Sequence, residues 1–177
     1  MSFTPCVNSL AANITSNCQP NVKGFKQLGA IVNKKDVVHL KIINGVINSY
    51  SPFNAKPIYQ LRQNPKPFNS YKVEYQAESN TYKKTIQFYF EGIGAGNAKD
   101  VIEPLKDNEF MIIIESKKKS GIYCDKFIFI GAQNGLHVTE MVEDEETGYW
   151  LVTMECEEPH AEISMYALDM ENLVYFD

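Results

Sequence analysis

Residues 71–91 read YKVEYQAESNTYKKTIQFYFE, and their alternation decides the fold class. Tyr71, Val73, Tyr75 and Ala77 alternate with Lys72, Glu74 and Gln76, which gives a strand one apolar and one wet face. Ile86, Phe88 and Phe90 alternate in the same way with Thr85, Gln87, Tyr89 and Glu91. Towards the N-terminus the β texture continues. Leu28–Val32 is a short apolar run, and Asp36–Tyr50 holds two apolar runs joined by Asn44-Gly45, the strongest short hairpin signal. Pro52, Pro57, Pro65 and Pro67 punctuate residues 51–69. Between them Ala55–Leu61 fits only an edge strand, because proline cannot donate to a ladder, and Asn64–Asn69 reads as a loop.

Towards the C-terminus, Glu91–Asn97 is a glycine-rich loop and Asp100–Asn108 is the one helix candidate. Pro104 removes an internal hydrogen bond unless it lies in the first turn, so two turns are expected. Phe110–Glu115 is a continuous apolar run of the kind a central strand shows, and Lys117–Gly121 is a charged turn. Ile122–Ile130 is expected to pair through Asn134-Gly135, a second hairpin signal, with Leu136–Val142. The acidic turn Glu143–Gly148 leads into Tyr149–Cys156, Pro159 ends that strand, and Glu162–Tyr166 and Leu173–Phe176 close the series. Short strands with turn signals every eight to twelve residues predict an all-β fold with one short helix near 100–108, an antiparallel sandwich or barrel. The expected organisation is an extended arm over 1–27, rich in Asn, Ser and Thr near its start, and a single domain over 28–177.

Charge is sorted along the chain. Residues 1–120 carry sixteen of the seventeen Lys+Arg and nine of the twenty-two Asp+Glu, a net of +7. Residues 121–177 carry Lys126 against thirteen acids, a net of −12. Two opposed fields of this kind bear on partners and encounter. Either the halves neutralise each other within one monomer, or the basic part of one copy meets the acidic part of the next.

The chemistry of catalysis is weakly represented. Gly92, Gly94 and Gly96 follow a strand and precede a helix, but Asn97 stands where a dinucleotide fingerprint has its third glycine. His39, His137 and His160 are scattered, with no spacing that a metal site or a Cys-His pair uses. Cys6, Cys18, Cys124 and Cys156 show no CxxC and read as reduced thiols, with Cys124 and Cys156 as small core hydrophobes. The carboxylates of Glu143–Glu146 and Glu155–Glu158 read as solvated acids rather than as a catalytic pair. A single arginine, Arg62, argues against a specific nucleic-acid reader. No apolar run is long enough to span a bilayer and the start resembles no secretory signal, so synthesis in the cytoplasm is expected. No catalytic residue, cofactor or metal is expected.

The order of parts resembles the major tail tube protein family of tailed bacteriophages. The resemblance rests on the irregular arm, the strands at Tyr71–Ala77 and Lys84–Glu91, the loop and helix at Gly92–Asn108, the strand Phe110–Glu115, and the later series through Asn134-Gly135-Leu136 and Glu145–Trp150. It covers most of residues 28–166. It implies a virion structural protein, made in the host cytoplasm and resident in the tail, that forms homo-oligomeric rings stacked into a tube. Neighbours would be other phage tail proteins, and DNA would pass through without specific binding. On that expectation Lys117, Lys118 and Lys119 on one rim face Glu143, Asp144, Glu145 and Glu146 on the next, and these seven are the interface candidates. The alternatives are a non-polymerising binding or adaptor protein of the neck, baseplate or head, and an enzyme whose residues converge only in three dimensions.

Overall fold

A computed structural model describes residues 25–37, 40–50, 58–62, 70–91, 98–116, 126–144 and 149–166. Its elements in chain order are β1 (Phe25–Asn33), β2 (Leu40–Ile43), β3 (Val46–Tyr50), β4 (Ile58–Arg62), β5 (Ser70–Gln76), β6 (Thr81–Glu91), α1 (Ala98–Asp107), β7 (Phe110–Ser116), β8 (Lys126–Ile130), β9 (His137–Asp144), β10 (Tyr149–Glu158) and β11 (Ser164–Tyr166). A single 3-10 turn, Lys34–Asp36, follows β1. The fold is all-β with one short helix, as the alternation predicts.

The strands form two sheets, a seven-stranded one in the order β2-β3-β11-β8-β7-β1-β4 and a four-stranded one in the order β5-β6-β10-β9. Every ladder is antiparallel except β11 with β3. The sheets face each other across a core of Ile86 and Phe88 from β6, Val152, Met154 and Cys156 from β10, and Ile112, Ile114, Ile128 and Ile130 from β7 and β8. A second cluster, with Ala30, Val32, Met111, Ile113, Phe127 and Phe129, buries the other face of the larger sheet. β7 is therefore apolar on both sides, and its run Phe110–Ile114 cannot alternate. Truncating Ile112 or Ile113 to alanine in such a position costs about 2–5 kcal/mol.

Local chemistry explains most boundaries. Asn44 and Gly45 both take positive φ (51° and 76°), the type I′ geometry that joins β2 to β3. β4 lies at the outer edge of the larger sheet, where its prolines' neighbourhood allows it. β10 ends at Glu158, immediately before Pro159.

Three expectations are corrected. The helix runs from Ala98 to Asp107 with Pro104 inside it, longer than two turns. It tolerates the lost hydrogen bond because Leu105 is buried in the core and Asn108 Nδ2 donates to Pro104 O at 2.8 Å, satisfying a terminal carbonyl. The Asn134-Gly135 dipeptide is not a hairpin turn, because β8 belongs to the larger sheet and β9 to the smaller. Only Gly135 takes positive φ there, and Leu136 pairs with Phe110 as the chain crosses between sheets. Finally, β1 begins at Phe25, so residues 25–27, assigned to the arm, already pair in the sheet at Phe25. The remainder of the arm, the loops at Asn64–Asn69, 92–97 and Lys117–Gly121, and the strand expected at Leu173–Phe176 lie outside the described residues.

Candidate functional site

β6 comes from the basic part of the chain and β10 from the acidic part, and they pair along ten residues, from Tyr149↔Glu91 to Glu158↔Tyr82. Pleating sends alternate side chains to opposite faces, so charges one residue apart meet in different solvents. On the outward face Lys83 Nζ lies 2.8 Å from Glu155 Oε2, Thr85 Oγ1 donates to Glu155 Oε1 at 3.3 Å, and Gln87 Nε2 donates to Thr153 Oγ1 at 3.2 Å. Lys72 and Glu74 on β5 form a further pair at 2.8 Å.

On the inward face Lys84 Nζ lies 2.5 Å from Glu158 Oε2, with both side chains 0% exposed. The second oxygen, Glu158 Oε1, accepts the backbone N–H of Gln133 at 2.8 Å. That residue belongs to the crossing between β8 and β9, which other groups also hold. Asn134 Nδ2 donates to Glu157 O, and Lys34 Nζ donates to Ala132 O at 2.7 Å. Gly131 is required there (φ +78°), since a Cβ would lie 2.6 Å from Phe110 O and 2.7 Å from Leu136 N.

Burial shifts three titratable neighbours of this cluster. Burial pushes the Cys156 thiol up to about 12, aided by the charge of Glu158 and opposed by Lys84. Burial also raises the Tyr71 phenol, with Glu162 and Glu158 adding to the shift. The Lys34 ammonium is lowered by burial, against the pull of Glu158 and Glu109. A thiol that stays protonated at neutral pH is a poor nucleophile. The cluster thus fastens a turn between two sheets.

Two of the seven expected interface residues are among the described residues. Lys117, Lys118, Lys119, Glu145 and Glu146 lie outside the described residues. Glu143 is exposed near the end of β9, opposite Trp150, and Asp144 ends β9 opposite Tyr149. Cys156 is a buried free thiol in the core, as its strand position predicts, whereas Cys6, Cys18 and Cys124 lie outside the described residues. His137 opens β9, His160 follows β10, and His39 is outside the described residues. Among the described residues no group of three or more His, Cys, Asp or Glu is placed to hold a metal ion.

Glu155–Glu158 is corrected, since the four residues are not one solvated patch: Glu155 and Glu157 face outward and Glu158 is in the core. Lys84 and Glu158 were missed because lysine and glutamate read as surface residues. Phase carries the signal: Lys84 is in register with Ile86 and Phe88, and Glu158 with Met154 and Cys156. Comparison with family models, curated proteins and solved structures finds no match.

Proposed function

We propose that this chain is a virion structural protein of the tail tube type, whose copies join head to tail into rings that stack as a conduit for DNA. The observation that carries the reading is the four-stranded sheet β5-β6-β10-β9. It is antiparallel throughout, and no strand among the described residues lies beyond β5 or β9. With an even number of strands its two edges run in opposite directions. A second copy placed with its β5 against β9 of the first continues the antiparallel ladder, and repetition closes a ring or grows a filament. Unpaired edges otherwise invite uncontrolled aggregation, so a fold that presents two matched ones is suited to assembly.

The outward face of the same sheet supports passage of DNA without capture. Its acids include Glu74, Glu140, Glu155 and Glu157, and Lys72 and Lys83 each lie beside a carboxylate. Such a face releases few counterions to a polyanion. The test is negative-stain microscopy with light scattering across protein concentration and salt. Rings or tubes are expected, and Val142→Lys on the β9 edge is expected to stop growth. Protein that remains monomeric at high concentration and low salt overturns the reading in favour of a non-polymerising adaptor.

A further inference from the structure

The β5 edge carries a pattern of its own. It reads SYKVEYQ from Ser70 to Gln76, and its centre Tyr71–Tyr75 is a palindrome about Val73 except that Lys72 and Glu74 are complementary charges. In an antiparallel pair of identical strands with a two-fold axis at Val73, residue numbers in each opposed pair sum to the same value. Lys72 then lies opposite Glu74 of the second copy, Glu74 opposite Lys72, and Tyr71 opposite Tyr75. The side chains are available for this: Lys72 is 64% and Glu74 44% exposed, while Val73 and Tyr75 are 36% and 56% exposed on the other face. Tyr75 is already braced, its ring 5.3 Å from that of Tyr82 and its hydroxyl donating to Asn80 Oδ1 at 2.9 Å.

We infer that the soluble protein is a two-fold dimer in which β5 pairs with β5 of a second copy, extending the smaller sheet to eight strands. Opposite charges directly across an antiparallel pair stabilise it and like charges destabilise it, and symmetry doubles either effect. A lone edge lysine repels its own copy, which is the usual protection of an edge. Here the glutamate two residues on turns that repulsion into two cross-strand ion pairs. The opposite edge lacks this property, since β9 reads HVTEMVED and offers its three acids no lysine or arginine to face. A two-fold contact is closed, so it also occupies the edge that head-to-tail growth needs. In the tube reading the dimer is the form that waits for a nucleus.

Sedimentation equilibrium of the full chain over a concentration series tests it. A dimer is expected for the natural sequence. Lys72→Glu, which sets glutamate against Glu74 of the second copy twice per dimer, is expected to raise the dissociation constant about tenfold. The swapped double variant Lys72→Glu/Glu74→Lys restores the palindrome and the dimer, a rescue that a merely structural role for either residue does not produce. A monomer at every concentration, a Lys72→Glu protein that dimerises unchanged, or a swap that fails to rescue each overturns the inference. Tubes without a dimer leave the assembly reading standing alone, and a dimer that never forms tubes does the reverse.

Discussion

Lys83–Glu155 and Lys84–Glu158 are the same chemistry on the same two strands, one residue apart, on opposite faces of the smaller sheet. The outward pair sits in partial contact with water beside threonine and glutamine, where screening and side-chain entropy leave an ion pair little net effect. The inward pair has no water to fall back on. Desolvating both charges cancels much of their attraction, so the pair as a whole adds little stability, yet removing one partner leaves a buried charge uncompensated. Position on the pleat, not residue type, decides which regime applies. The comparison also resolves part of the sorted charge: where β6 meets β10, the basic and acidic parts neutralise each other within one chain.

The largest effect is expected from breaking the inward pair. Lys84→Met strands Glu158 and should cost about 3–5 kcal/mol in urea unfolding, whereas Lys84→Met/Glu158→Leu should recover most of that loss. A double variant as weak as the single one would show that Glu158 matters chiefly through Gln133. Next comes the turn itself. Gly131→Ala adds a Cβ against Phe110 O and Leu136 N at φ +78° and should cost about 1–3 kcal/mol by the same measurement.

A third, smaller effect is alkaline. The Cys156 thiol has a raised value in the folded state, so its contribution is intact below about 9 and is lost as pH rises towards about 12, because the unfolded chain ionises first. Tyr71, also raised, adds loss in the same direction at higher pH, while Lys34, lowered by burial, works in the opposite sense. Thermal melts of Cys156→Ser against the natural protein should show a shallower alkaline decline, and alkylation of the natural thiol at neutral pH should await unfolding. Smallest of all is the outward pair. Lys83→Gln should leave the melting temperature almost unchanged, and a shift as large as that of Lys84→Met would erase the distinction between the faces.

How far these features were legible follows from what each depends on. Asn44-Gly45 was readable because a type I′ turn is specified by two adjacent residues. The same dipeptide at Asn134-Gly135 misled because the Asn134 amide is engaged by Glu157 O from another strand and its φ is not positive. The edge position of β4 was readable from proline chemistry. The length of α1 was not, because the core contact of Leu105 outweighs what Pro104 takes away.

Alternation, turn dipeptides and prolines are local, and through them the sequence alone determined that this protein is all-β, with a continuous apolar run at β7 and alternating apolar and polar faces on β5 and β6. Which strands share a sheet, that the chain changes sheets at residues 131–136, and that one of two neighbouring lysines is sealed inside were decided only by tertiary structure. The physical reason is that periodicity states which side chains share a face, whereas burial depends on what the rest of the chain places over that face.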